Sequence, residues 1–183
     1  MEKRIIIGLV GQIASGKGFA TKYLEGMYKA SSFRFSTILR DIINRLYQEI
    51  NRANMQELST LLRQKFGEDI LAKTIVEDIK KCDNKIIVVE GIRRLADFEN
   101  LKKINGFKLV GISAKSETRY QRLVARKENS DDNEKTYEQF VKEQENEADA
   151  EIPDVMTNVE IILNNDGNIE DLYKQIDDLI KTS

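Results

Sequence analysis

The most chemically specific spacing in the chain lies in eight residues, Gly11-Gln12-Ile13-Ala14-Ser15-Gly16-Lys17-Gly18. They form a GxxxxGK pattern directly after the apolar run Ile5–Val10 and directly before a helical pattern opening at Phe19. Glycine lets consecutive backbone N–H groups turn inward around a polyphosphate, and the helix that follows adds unpaired donors with positive dipole character. Lys17 supplies a movable charge able to follow the β- and γ-phosphates of a triphosphate. One position departs from the usual pattern: Gly18 stands where a hydroxyl ordinarily touches Mg²⁺, which shifts metal binding to water and carboxylates. Ser15 and Thr21 are the nearby hydroxyls.

A carboxylate in the right place is Glu90, in Val88-Val89-Glu90-Gly91-Ile92-Arg93-Arg94. At the carboxyl end of a strand beside the phosphate loop, it can orient the water shell of Mg²⁺. Gly91 then allows a sharp turn, and Arg93 and Arg94 project over the same rim. Arg119, Arg122 and Arg126 stand at i, i+3 and i+7 and share one face of a predicted helix, with Tyr120, Leu123 and Val124 expected to pack on the sheet. Charge developing on a transferred phosphoryl group needs fixed cations of this kind.

Composition narrows the chemistry further. With 183 residues, 29 Lys and Arg against 31 Asp and Glu, and a net charge of -2, the chain reads as one domain for a small ligand. A near-neutral balance argues against a broad basic face for duplex nucleic acid. Histidine is absent, which removes imidazole bases, Ser-His triads and His-ligated metals. The single cysteine, Cys82, excludes an internal disulfide framework. No apolar run approaches the roughly 20 residues of a membrane span. The first ten residues lack a secretory layout, so the cytoplasm is the expected compartment.

These residues must be positioned by alternating elements. Strand-like segments are Arg4–Val10, Ser32–Phe35, Lys85–Val89, Lys108–Ser113 and Val159–Leu163, and the continuous β-branched runs suit a parallel sheet covered on both faces. Helical periodicity covers Phe19–Tyr28, Ile38–Ile50, Leu58–Phe66 with Gly67 as its stop, Ile70–Ile79, Leu95–Ile104, Ser116–Lys127 and Ile169–Ile180. The alternation predicts an α/β fold with right-handed crossovers. Residues 37–81 are too long for one crossover helix and are expected to form an all-helical insertion. Residues 128–151 carry ten acidic side chains against Lys135 and Lys142, which reads either as a solvated helical loop or as a lid. If a lid, it should close with Phe140 and Val141 packing inward and Lys127 as a further local cation.

The chain resembles a P-loop kinase of the adenylate kinase and dephospho-CoA kinase group, and most resembles an uncharacterised archaeal group of such kinases. Ile7-Gly8-Leu9-Val10-Gly11 through Gly18 resembles the start of both families. Arg122-Leu-Val-Ala-Arg126 is similar to the RxxxR at the base of the adenylate kinase lid. Glu90-Gly91-Ile92-Arg93-Arg94 is similar to the DGFPR segment, and Ser36-Thr37-Ile38-Leu39-Arg40 to the segment ending in LR. Asn164-Asn165-Asp166-Gly167 resembles the N-x-G loop near the adenine in dephospho-CoA kinases, and Leu62-Arg63 with Phe66-Gly67 completes the pattern. The departures are a missing His-Pro pair, Phe19 in place of the Thr after GKG, and no arginine beyond Arg126.

The resemblance implies a P-loop NTPase fold: a five-stranded parallel sheet of order 2-3-1-4-5 flanked by helices, with a helical acceptor-binding insertion (37–81) and a small lid (127–151) in one domain. It implies ATP and Mg²⁺ as cofactors and a phosphorylated small molecule as acceptor, in a monomer or homodimer. Gly11 to Phe19, Asn165 and Gly167 would bind the nucleotide. Lys17, Arg122 and Arg126 would carry catalysis, with Glu90 holding Mg²⁺ through water. Arg40, Arg93 and Arg94 would grip the acceptor phosphate. A hydroxyl acceptor would benefit from a carboxylate base, with Asp41 as one candidate. The rival reading is an ATP-binding regulatory or assembly factor with slow hydrolysis, which Gly18 and the acidic lid segment favour.

Overall fold

The β-branched runs form the centre of the sheet. In the computed structural model, which describes residues 4–126, 136–143 and 150–182, Ile5–Val10 forms β1. It lies parallel between Ile86–Glu90 (β3) and Phe107–Ser113 (β4), with Ile5 opposite Ile86 and Leu9 opposite Glu90. Ser31–Arg34 (β2) flanks β3 and Ile161–Asn164 (β5) flanks β4, all parallel, giving the order β2-β3-β1-β4-β5. This is the expected fold, and it follows from the alternation: parallel neighbours require a crossover each time.

Because β1 is central, successive side chains feed two separate cores. Ile7 and Leu9 join Ala20 and Leu24 of α1 (Lys17–Tyr28) and Leu172 and Ile176 of α9 (Ile169–Lys181). Ile6 and Val10 face the other way, toward α2 (Phe35–Arg45), α4 (Ile70–Lys81) and α5 (Leu95–Leu101). Each fully buried aliphatic side chain contributes roughly 1.5–3 kcal/mol, so both faces clamp the loop that leaves β1. The same duplication explains why β1 shows no polar alternation.

Between β2 and β3 the chain passes through α2, α3 (Arg52–Phe66) and α4. Asn51 caps α3 by accepting from the Asn54 amide at 2.8 Å, and Gly67 ends it at φ 103°. Several boundaries differ from the sequence expectation, α3 beginning at Arg52 and β5 running Ile161–Asn164 among them, and three have a visible cause. Phe35 is the buried first residue of α2 rather than the end of a strand, since β2 stops at Arg34. The apolar period through Ile50 overstates α2, which ends at Arg45: Tyr47 adopts φ 55° and leaves its ring exposed. Helix α5 ends at Leu101, where the Lys102 and Ile104 amides close a turn onto Phe98 and Leu101.

The acidic stretch contains α7 (Tyr137–Glu143), which follows α6 (Ser116–Arg126) and packs on it. Phe140 is buried, its ring 5.7 Å from Tyr120, so Tyr120 packs on α7 rather than on the sheet. Leu123 is buried as expected, whereas Val141 is 41% exposed and does not pack inward. Lys127 and Lys135, and with them most of the lid expectation, lie outside the described residues. Pro153 opens the short α8 (Ile152–Met156), where a missing N–H costs nothing. Among the described residues no helix is long and apolar enough to cross a membrane.

Candidate functional site

Residues 11–16 connect β1 to α1 as a tight loop fixed from several directions. A Cβ at Gly11 would lie 2.4 Å from the Ile112 carbonyl oxygen, and Gly16, at φ 110°, would drive one to 2.1 Å from Asn165 Nδ2. Both positions therefore need glycine. Ala14 is also left-handed, at φ 59°. Lys17 Nζ folds back over the loop and donates to the carbonyls of Gly11 at 2.6 Å and Gln12 at 3.0 Å. Ser15 Oγ is buried without a hydrogen-bond partner beside the loop. A buried hydroxyl left unsatisfied costs about 1–3 kcal/mol, which a phosphate oxygen within reach would offset. The orphaned donor, the glycine cradle and the movable lysine fit a polyphosphate.

Asn165 sits behind this loop. It is buried, its Nδ2 donates to the Ser15 carbonyl at 2.8 Å, and its Oδ1 has no partner. It thus supports the loop's backbone, while Gly167 lies at the surface two residues on. Gly18 opens onto free space: a Cβ there would meet no atom within 4 Å. Its lack of a hydroxyl is not forced by crowding. Phe19, in the first turn of α1, is 56% exposed.

Glu90 ends β3 next to the loop, as its position in the sequence requires, and is buried to 9% exposure. Thr21 Oγ1, one turn into α1, reaches Glu90 Oε2 and the Lys17 carbonyl, each at 3.1 Å, and can donate to either. Arg34, opposite Glu90 in the β2–β3 register, donates through Nη2 to the same oxygen at 2.6 Å. Both contacts fall on Oε2, so the carboxylate that could orient a hydrated cation already has its charge matched by Arg34. Among the described residues no three thiol or carboxylate side chains gather into a metal-ligand set. A metal here would rest on phosphate, water and Glu90, which suits Mg²⁺.

The arginine stripe divides by burial. Arg119 is 4% exposed, donates to the Ala114 and Ile13 carbonyls at 3.1 and 3.4 Å, and lies 5.3 Å from the Phe140 ring centroid. Burial pulls its proton affinity below the ordinary arginine value. Arg119 thus ties the phosphate loop to α7. Arg122, one turn on, keeps Nη1 buried and without a partner, a cation donor available to an anion. Arg126 is in α6; its side chain lies outside the described residues.

The arginines expected to grip an acceptor phosphate, Arg40, Arg93 and Arg94, are not brought together. Arg40 and Arg93 are exposed, and Arg94 pairs with Glu68 at 3.1 Å. Arg63, recognised only as part of a pattern, is buried and shares Nη2 between both Asp97 oxygens at 3.1 and 3.2 Å. Burial pushes the Asp97 carboxyl up to about 6 against the pull of Arg63. The space beside the loop is instead a cleft of about 300 Å³, whose lining includes Gly18, Lys22, Arg34, Thr37, Asp41 and Asp78. Sequence reasoning missed Arg34 and Lys22. The one signal for Arg34 was its place at the end of β2, beside the end of β3.

With this geometry in view, comparison with known proteins is decisive: residues 10–140 match the family model of the AAA domain. The chain belongs to the AAA domain family. A UPF0200 protein from Staphylothermus marinus is 28% identical over 179 residues, covering 98% of this chain and 93% of that protein. The resemblance to an archaeal group of P-loop kinase-like proteins therefore stands. Among solved structures, shikimate kinase from Bacteroides thetaiotaomicron aligns with a TM-score of 0.65 at 12% identity, covering 97% of each chain. TT1252 from Thermus thermophilus aligns at 0.64 and 17% identity over 99% of this chain and 98% of that one. At such identities these likenesses establish the P-loop kinase fold for this member of the AAA domain family.

Proposed function

We propose that the protein is a P-loop kinase that moves the γ-phosphoryl group of ATP, with Mg²⁺, to a nucleotide-like small molecule: a nucleoside or deoxynucleoside monophosphate, or dephospho-CoA. The observation that carries this reading is the glycine cradle with the orphaned Ser15 hydroxyl and Lys17, opening directly beside Glu90 and an adjoining cleft. Lys17 would leave the Gly11 and Gln12 carbonyls for the β- and γ-phosphates. Bound Mg²⁺ would neutralise phosphate charge, and Glu90 with Thr21 would orient its water.

Arg122, with an unpartnered Nη1, and Arg126, by its place one turn further along α6, would neutralise charge on the moving phosphoryl group. Arg93 and Arg94 at the end of β3 would reach the acceptor phosphate, Arg94 after leaving Glu68, and Arg40 from the outer face of α2. Gln12, Ile13 and Ala14 contribute backbone amides to the donor phosphates, and Phe19 and Gly167 border the nucleotide. Asn165 contributes by holding the Ser15 carbonyl. A phosphate acceptor needs no general base; a hydroxyl acceptor would find Asp41 in the cleft wall.

One observation favours the regulator reading: Gly18 presents no hydroxyl to a metal although the space would accept one. ADP formation separates the two. A kinase accelerates on addition of a monophosphate or dephospho-CoA, whereas a regulator keeps a slow, acceptor-independent rate. A melting-temperature screen of those acceptors with a non-hydrolysable ATP analogue identifies which one to use.

A further inference from the structure

Arg34 is the last residue of the edge strand β2, and its guanidinium crosses the end of the sheet to Glu90 Oε2 at 2.6 Å. The carboxylate best placed to hold a hydrated cation beside the phosphate loop is therefore already held by a cation of the protein. The two partners are not equally fixed. Glu90's side chain is 12% exposed and also engaged by Thr21, whereas Arg34's side chain is 47% exposed and reaches in from solvent. The exposed arm can swing away into solvent, while the enclosed Glu90 keeps its Thr21 contact and calls for another cation in its place. Arg34 also lines the cleft, together with Gly18 and Lys22.

Resting on the phosphotransferase reading, we propose that Arg34 is a positioning residue that occupies the Mg²⁺ seat at Glu90 until a phosphate group in the cleft draws it away. A guanidinium prefers a phosphate dianion to a shared carboxylate, because two parallel N–H donors can meet two oxygens. With Arg34 on the acceptor, Glu90 is released for the hydrated cation. Arg34 thereby couples acceptor arrival to assembly of the donor site, and disfavours loss of the γ-phosphoryl group to water when the cleft is empty. The acceptor class this selects is a small molecule bearing its own phosphate, seated between Arg34 and Lys22.

The test is a calorimetric titration of a non-hydrolysable ATP analogue at increasing Mg²⁺, on wild type and on Arg34→Met, with melting temperature as the fold control and Arg34→Gln as a second variant. Removing the competing cation should lower the half-saturating Mg²⁺ concentration by roughly two- to five-fold. Inorganic phosphate, the probe for the cleft, should lower it in wild type and leave it unchanged in Arg34→Met. An unchanged or raised Mg²⁺ requirement in both variants overturns the proposal, as does a phosphate effect that survives in them. No analogue binding to wild type at any Mg²⁺ concentration would remove the nucleotide reading itself, and this coupling with it.

Discussion

Two arginine–carboxylate pairs in the molecule are built for opposite purposes. Arg63 and Asp97 join α3 to α5 with side chains 6% and 1% exposed, and Arg63 also donates to the Glu68 carbonyl. Arg34 and Glu90 join the ends of β2 and β3 with side chains 47% and 12% exposed, at the edge of a cleft. Withdrawing either partner of the first pair strands a charge in the interior, so it is a permanent fastening of α3 to α5. In the second, only the carboxylate is enclosed, and its partner can be exchanged for another cation. Burial of one member rather than two leaves a pair whose outer partner is reached from solvent.

The largest expected effect breaks the permanent pair. Asp97→Ala should lose roughly 3–5 kcal/mol of unfolding free energy in urea, because Arg63 is left as an uncompensated buried charge. Replacing both members, Arg63→Met with Asp97→Leu, should recover most of that loss. If Asp97→Ala costs no more than a surface substitution, the two pairs are not different in kind.

Next comes the exchangeable pair. Glu90→Gln should lower the unfolding free energy by about 1–2 kcal/mol, less than Asp97→Ala, because the enclosed position keeps a neutral hydrogen-bonding group for Thr21 and Arg34. The same variant should weaken the Mg²⁺-dependent part of nucleotide binding by roughly 10- to 100-fold, the usual cost of losing a carboxylate behind a metal's ligands. Urea titration and calorimetry on one preparation separate the two effects.

A smaller effect concerns pH. Burial raises the folded Asp97 carboxyl from 3.8 to about 6, so the fold binds that proton more tightly than the unfolded chain does. Its contribution is present below the unfolded value and is lost as pH rises toward 6. The difference in unfolding free energy between wild type and Asp97→Asn, measured from pH 4 to pH 7, should shift against wild type across that window. The smallest effect is on the far side of the sheet, where Asp177 accepts from Tyr23 and Tyr28 at 2.9 and 2.7 Å. Hydrogen bonding to Asp177 raises the Tyr28 hydroxyl from 10.0 to about 12. Stability from that bond is full below 10 and is lost as pH rises through 12, so alkaline melts of wild type and Tyr28→Phe should converge there.

The phosphate-loop half of the candidate site was legible as structure because its signals are local. Gly11 to Gly18 carry their chemistry within one turn of chain, and Ile5–Val10 and Ile86–Glu90 announce themselves as buried strands by continuous β-branched residues. Glu90's place followed from being the first polar residue after such a run. The cleft side and the helices beyond it were not legible because their contacts are long-range: Arg34 meets Glu90 across 56 residues and Arg63 meets Asp97 across 34. Helical spacing put Arg119, Arg122 and Arg126 on one face, but it could not say that Arg119 is consumed by Ile13, Ala114 and Phe140. The length of α2 was misjudged because apolar period cannot see the left-handed Tyr47 that ends it.

The central claim is that residues 11–18 hold a nucleoside triphosphate, and Lys17 gives its most direct test. Its ammonium rests on the Gly11 and Gln12 carbonyls rather than in either hydrophobic core, so Lys17→Ala should melt close to wild type. Calorimetric titration with ATP and Mg²⁺ should show binding to wild type and an affinity weaker by roughly 10- to 100-fold in Lys17→Ala, the loss of one strong charged contact. A folded Lys17→Ala protein that binds ATP with unchanged affinity would contradict the account.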